Sequence, residues 1–206
     1  MCFYYAIVKT NASTLIRNKV IDATQLEMFQ EYHIVSGFGY PVMPIVTGQK
    51  PGMVQNFHWG YIPGHTQTRE QAELFIKSYN TLNAKGETLF ESRLYGEAAL
   101  KRRCLVLCSG FFEWRHQKGT GKAKPEKYPF YITLRNEELF VFGGVWDSFT
   151  DRQTGEVYNT YSIITTEANP LMSVVHNSKN RMPLIIDPAN AAEWLDRARP
   201  RKKLRP

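Results

Sequence analysis

The sequence lacks any apolar run approaching the ~20 residues a helix needs to cross a bilayer, which excludes a helical membrane span. It is also poor in cysteine, with only Cys2, Cys104 and Cys108. An odd count, behind a start that reads as no secretory leader, speaks against a secreted disulfide framework. No Cys-x-x-Cys pair occurs, so the three do not make a metal set. Repeats and long linkers are likewise missing. Acidic residues are absent from the last ten positions, where Arg197, Arg199, Arg201, Lys202, Lys203 and Arg205 carry six of the net +7 charges. The rest of the chain is therefore near neutral, and global charge says little about a nucleic-acid surface on the folded body. The segment 197–206 reads as a solvated basic tail that lends modest, salt-dependent attraction to phosphate.

What is present is a globular composition. Hydrophobic residues make up 43% of the 206 positions and aromatics 13%, enough for one domain with a substantial core rather than a disordered chain. β-branched and aromatic runs predict strands over 3–8, 56–61, 103–108, 111–115, 128–134, 139–146, 158–166 and 183–186. Helices are expected over 22–33, capped by Asp22, and over 68–78, 87–100 and 168–175. A last one, over 188–197, is opened by Asp187-Pro188. Gly and Pro crowd 37–52, which reads as loop with one short strand, and 116–127 is a polar, basic loop. Many strands with scattered helices define an α+β class. The expected architecture is a single β-rich domain over 1–196, with a curled antiparallel sheet or open barrel at the centre and peripheral helices. Cys104 and Cys108 fall in an apolar run and read as small core residues.

Cys2 is the most unusual feature. A cysteine after the initiator Met allows that Met to be trimmed, leaving an α-amine and a thiol on one residue. With ordinary pKa values of ~7.7–8.0 and ~8.5, each group has a reactive fraction at neutral pH. The amine can form a Schiff base with an aldehyde, and the thiol can close onto the imine carbon as a thiazolidine, an intramolecular step favoured by proximity. Read by position alone, Cys2 is better taken as an incidental frayed end. Other residues carry similar pairs of readings. Glu113, flanked by aromatics in Phe111-Phe112-Glu113-Trp114, is an edge-strand surface residue or a carboxyl raised by an apolar pocket. Asn83 is a turn residue or a hydrogen-bond donor to a sugar or carbonyl oxygen, and Lys85 a solvated lysine or a phosphate contact. His176, before Asn177-Ser178-Lys179-Asn180-Arg181, is structural or placed for acid–base work. Trp59, in Trp59-Gly60-Tyr61-Ile62-Pro63, packs the core or stacks an unpaired base.

Together these segments resemble the SRAP family, the SOS-response-associated peptidases, from Cys2 to the helix around Trp194. The resemblance rests on Met1-Cys2, Trp59-Gly60-Tyr61-Ile62-Pro63, Asn83-Ala84-Lys85-Gly86-Glu87-Thr88, Arg103-Cys104-Leu105-Val106 and Gly110-Phe111-Phe112-Glu113-Trp114. Further along, it rests on Gly143-Gly144-Val145-Trp146, Ile163-Ile164-Thr165-Thr166-Glu167-Ala168, and His176 with Arg181-Met182-Pro183, all in family order. It implies a β-rich SRAP fold with a basic cleft, capture of abasic sites in single-stranded DNA through a Cys2 crosslink, and removal of Met1 by autoproteolysis. It implies that Asn83 holds the opened sugar and the N-terminal residue, that Glu113 assists proton transfers, and that His176 helps ring-opening and crosslink reversal. Tyr4, Trp59, Lys85 and Arg181 are the expected DNA contacts. Three features depart from the family pattern. Phe3-Tyr4 stands for the usual Gly-Arg, Lys85 stands for an arginine, and the His176-to-Arg181 spacing is three residues longer. The protein is thus expected to be a cytoplasmic or nucleoid-associated monomer (nuclear in a eukaryote), with abasic DNA as partner and neither cofactor nor metal. Two rival readings are a thiol peptidase acting on other proteins, with Cys2 as nucleophile and His176 as base, and a non-covalent single-stranded-DNA module.

Overall fold

The computed structural model describes residues 2–8, 11–28, 30–117, 126–135, 138–196 and 198. The basic tail, Ala198 apart, the middle of the basic loop and Phe29 lie outside them. In chain order the described strands are β1 (Tyr4–Ile7), β2 (Tyr32–Ser36), β3 (Val42–Thr47), β4 (Val54–Trp59), β5 (Asn83–Lys85) and β6 (Arg103–Cys108). They continue with β7 (Gly110–Gln117), β8 (Glu126–Ile132), β9 (Phe140–Thr150), β10 (Val157–Glu167), β11 (Arg181–Pro183) and β12 (Ile185–Ile186). Short helices punctuate them: α1 (Ser13–Arg17), α2 (Arg69–Ser78), α3 (Gly96–Lys101), α4 (Pro170–Val175) and α5 (Ala191–Leu195). No described helix is long and apolar enough to cross a membrane.

Five strands close into a barrel. β4–β3, β3–β6, β6–β9 and β9–β10 pair antiparallel, and a parallel pairing of β10 with β4 completes the ring. The expected curled sheet therefore closes fully. β6 explains why its bounds were legible: every residue of Arg-Cys-Leu-Val-Leu-Cys is buried, the pattern of a strand covered on both faces. Cys104 and Cys108 sit in that core as expected. A second sheet, ordered β2-β1-β7-β8, lies against the barrel. Tyr5 and Phe111 carry the contact, with ring centroids 6.2 and 5.7 Å from Phe142, and the Tyr5 and Tyr161 hydroxyls share a 3.0 Å hydrogen bond. The chain passes between sheets at Ser109. Gly110 then lies so close to the Tyr131 ring that a Cβ would meet it at 2.3 Å, which fixes the switch point.

Two expected helices are shorter than their periodicity suggested. The segment 22–33 forms a 3₁₀ helix (Ala23–Met28) and then β2, because Ile34 and Val35 suit a strand and Val35 pairs opposite Tyr5. The segment 87–100 divides into a 3₁₀ turn (Gly86–Thr88) and α3. The Ser92 hydroxyl accepts hydrogen bonds from the Leu94 and Tyr95 amides there and interrupts the helix. The helix expected over 188–197 opens with a 3₁₀ turn capped by Asp187 and ends at Leu195. α2 forms where expected, with Thr68 accepting a hydrogen bond from the Gln71 amide at its start.

Candidate active site

The two sheets bring the chain start to the barrel rim. β1 pairs antiparallel with β7, Tyr4 opposite Phe112 and Tyr5 opposite Phe111, so the residues before Tyr4 run toward Glu113. Cys2 is fully buried. Its carbonyl accepts a 2.9 Å hydrogen bond from Asn83 Nδ2, and its thiol points to the Tyr4 carbonyl at 3.7 Å. Asn83 is itself fixed, because β5 runs parallel to β10 with Asn83 opposite Ile163. The Asn83 Oδ1 atom is buried without a hydrogen-bond partner among the described residues, leaving one acceptor unused. Burial, reinforced by the Glu113 charge, pushes the Cys2 thiol far above its ordinary range.

Glu113 is 4% exposed, on the same face of β7 as Phe111. Burial pushes its carboxyl up to about 7. His176 Nδ1 lies 3.7 Å from Glu113 Oε1 and 2.8 Å from the Arg181 carbonyl oxygen. A carbonyl can only accept, so Nδ1 carries the proton and Nε2 is the basic nitrogen of the neutral ring. Burial lowers the His176 pKa, against the opposing effect of that carbonyl. The imidazole is held in place by its neighbour. Asn177 Nδ2 donates to the His116 carbonyl at 2.8 Å, and the His116 amide donates to Asn177 Oδ1 at 3.0 Å, pinning the end of α4 to β7. Asn177 was not singled out from sequence, although it directly follows His176 and an amide can satisfy both backbone groups of a strand residue.

Three clefts meet at this point. The central one, about 480 Å³, is lined by Phe3, Tyr4, Glu113, Trp114, His176 and Lys179 among others. Lys179 also borders a second of about 570 Å³, with Asn83, Lys85 and Arg181. His116 joins the central cleft to a third of about 670 Å³ that holds Arg115, Tyr128 and Phe130. Cys2, Asn83, Glu113 and His176 thus converge, with Tyr4 and Lys85 on the cleft walls. One anticipated DNA contact needs correction, and a second proves to be ion-paired. Trp59 is wholly enclosed, its indole N–H donating to the Leu82 carbonyl at 2.9 Å, so no base can reach its ring. Arg181 borders a cleft, but its guanidinium holds Glu87 at 2.7 and 2.9 Å and donates to the Thr165 carbonyl at 2.7 Å. Those bonds tie β11 to β10 and leave Lys179 as a better placed cation. No group of three or more metal-ligating side chains occurs among the described residues.

Fold and site together define a β-barrel protein whose reactive groups gather around its own chain start. The chain belongs to the SOS response associated peptidase (SRAP) family, which it matches over residues 1–205. It is 28% identical over 156 residues to the Bacillus subtilis abasic site processing protein YoqW, covering 75% of this chain and 62% of the relative. It is 32% identical over 145 residues to the Saccharomyces cerevisiae abasic site processing protein YMR114C, covering 69% of this chain and 35% of the relative. The chain therefore spans less than two thirds of the length of these relatives. Among solved structures, a Bacteroides thetaiotaomicron protein superposes with a TM-score of 0.82 at 32% identity, covering 98% of this chain and 84% of that one.

Proposed function

We propose that this protein processes abasic sites by trapping them in single-stranded DNA as a covalent thiazolidine on Cys2, acting as a monomer after hydrolytic removal of Met1 by the same centre. The freed α-amine attacks the C1′ aldehyde of the opened sugar to give a carbinolamine, which loses water to an imine. The thiol then adds across the C=N bond, its sulfur to carbon and its proton to nitrogen. Aldehyde and aminothiol thus become thiazolidine and water, with no oxidant or reductant. The observation that carries this reading is the Glu113–His176 pair, 3.7 Å apart beside the chain start, with the carboxyl pushed up to about 7. Such a group is half protonated near neutrality. It can protonate the departing hydroxyl in one step and accept the thiol proton in the next. Asn83 fits the role of holding Cys2 by its carbonyl while offering Oδ1 to a sugar hydroxyl. The relatives named abasic site processing proteins support the same substrate.

A thiol peptidase acting on other proteins is disfavoured, because a buried thiol with a raised pKa supplies little thiolate for attack in trans. Mixing the protein with an oligonucleotide bearing an aldehydic abasic site should give a heat-stable adduct on a denaturing gel without reductant. Intact DNA should give none, and Cys2→Ala should abolish the adduct. An undiminished adduct from Cys2→Ala would overturn the reading.

A further inference from the structure

His176 carries its proton on Nδ1 because the Arg181 carbonyl oxygen stands 2.8 Å away. The chain between the two residues is a weak anchor for that oxygen. Four residues separate His176 from Arg181, three more than in the family pattern. They form a turn in which the His176 carbonyl accepts from the Asn180 amide at 2.9 Å, with Asn180 at a left-handed φ of 50°. Asparagine tolerates that region better than most residues but is not stabilised by it.

Arg181 is anchored by its own side chain. Its two Nη atoms meet the Glu87 carboxylate at 2.7 and 2.9 Å, and Nη2 also donates to the Thr165 carbonyl at 2.7 Å. Glu87 accepts a further bond from the Glu167 amide at 3.0 Å, and Glu167 lies opposite Arg181 in the pairing of β10 with β11. A two-point fork of this kind fixes distance and direction together. Burial works against the Glu87 charge, but the Arg181 hydrogen bonds outweigh it and hold the carboxyl below its ordinary range, so the fork stays charged at neutral pH. Glu87 reaches this position because its turn, Gly86–Thr88, directly follows β5, and β5 is paired with β10. Neither Glu87 nor the Arg181 side chain takes part in the proposed chemistry.

We propose that Glu87 is a positioning residue: through its fork with Arg181 it fixes the carbonyl that selects the Nδ1–H form of His176 and leaves Nε2 as the base. This rests on the proposed function for the part the imidazole plays. A histidine ring in isolation favours the opposite tautomer, with its proton on Nε2, so loss of the fork should let the proton redistribute.

Two measurements test this, one of them without DNA. Long-range 1H–15N spectra of the full chain separate the tautomers, because protonated and bare ring nitrogens resonate far apart. At about pH 8 the ring, with its lowered pKa, is neutral. The His176 signals are those, among five histidines, that vanish in His176→Ala. Wild type should show Nδ1 protonated, and Glu87→Ala a mixture; an unchanged Nδ1–H ring in Glu87→Ala would overturn the proposal. The second measurement is single-turnover adduct formation with a saturating aldehydic single-stranded oligonucleotide. Glu87→Ala should be roughly 10- to 100-fold slower, the usual cost of removing a group that orients a histidine. Its Kd for a non-reactive tetrahydrofuran lesion, read by fluorescence anisotropy, should match wild type. In a His176→Ala background the same substitution should cost nothing further, because its effect passes through the imidazole. An equal loss with and without His176 would overturn the proposal and mark Glu87 as support for the strand that carries Asn83. Glu87→Gln keeps one acceptor and should fall between wild type and Glu87→Ala in both measurements; it takes the place of Glu87→Ala if that variant does not fold. Failure of the covalent reading registers separately, as the absence of a wild-type adduct, and the tautomer spectra then decide the role of the fork.

Discussion

Replacing Glu113 by Gln tests the electrostatics of the site most directly, because it keeps the side chain's shape and removes its titration. In the unfolded chain the carboxyl loses its proton near 4.5, whereas in the fold it holds the proton up to about 7. Between those values the native state binds more protons than the unfolded state, so stability falls as pH rises through this window. At 1.36 kcal/mol per pKa unit the full gap is about 3 kcal/mol, absent below pH 4.5 and complete above pH 7. For a chain of this size 1 kcal/mol moves Tm by about 2–4 °C, so Glu113→Gln should gain up to about 10 °C on wild type between pH 4.5 and pH 8. His176 acts in the opposite sense. Its lowered pKa gives stability that is present above its ordinary 6.5 and lost as pH falls through the folded value. His176 lies beside Glu113, so repeating the pair of melts in a His176→Ala background separates its contribution. Thermal melts of the pair at pH 4.5, 6 and 8 provide the measurement. A Tm difference that stays constant with pH would refute the raised carboxyl and, with it, the acid–base assignment. At pH 7 the same variant should form adduct about 10²- to 10⁴-fold more slowly, the usual contribution of a positioned proton-transfer group.

Asn177→Ala removes both hydrogen bonds that pin α4 to β7. Adduct formation should slow about 10-fold or more while Kd for a tetrahydrofuran-lesion oligonucleotide stays unchanged, since misplacing the imidazole affects rate rather than binding; equal loss in both would mark a folding defect. Lys179→Ala should reduce the slope of log K against log salt by about 0.7, as expected for one lost contact to single-stranded phosphate. Arg181→Ala should leave that slope unaltered and lower stability by about 1–3 kcal/mol in chemical denaturation, because its partners are Glu87 and Thr165 rather than DNA.

The outline of the fold was legible wherever burial pattern and local preference agreed. β6, buried throughout, and α2, with its threonine cap and polar outer face, matched their expected positions to within a residue. Legibility failed where a distant partner decided the outcome. β3 is a barrel stave that lies within a Gly- and Pro-rich stretch. Pro44 sits opposite Asn56 within it, so punctuation obscured a strand that only its neighbours β4 and β6 define. The site shows the same division. Cys2, Asn83, Glu113 and His176 were each readable in two ways, and their proximity to one another is what the sequence could not show. Asn83 touches Cys2 across 81 residues of sequence, and Glu113 faces His176. Trp59 takes its core-packing reading rather than the base-stacking one because β4 turns its ring against Tyr5 and Tyr161. Arg181, expected as a phosphate contact, lines a cleft but is also paired with Glu87, a partner its sequence neighbourhood did not reveal.

The chemistry of the buried thiol also sets the order of events in the proposed reaction. Desolvation and the Glu113 charge both disfavour a Cys2 thiolate, so sulfur is the weaker candidate for the first attack. A free α-amine at the ordinary ~7.7–8.0 is roughly 10–20% unprotonated at pH 7, enough for nitrogen to meet the aldehyde first. Once the imine has formed, its carbon is held within reach of the sulfur on the same residue, and a neutral thiol suffices if a base removes its proton as the C–S bond closes. Glu113 poised near 7 can release a proton in the dehydration step and recover one in the cyclisation. Burial thus suppresses the unselective reactivity of an exposed thiol and retains the reaction that begins at the amine. That selectivity suits the proposed capture of an aldehydic sugar.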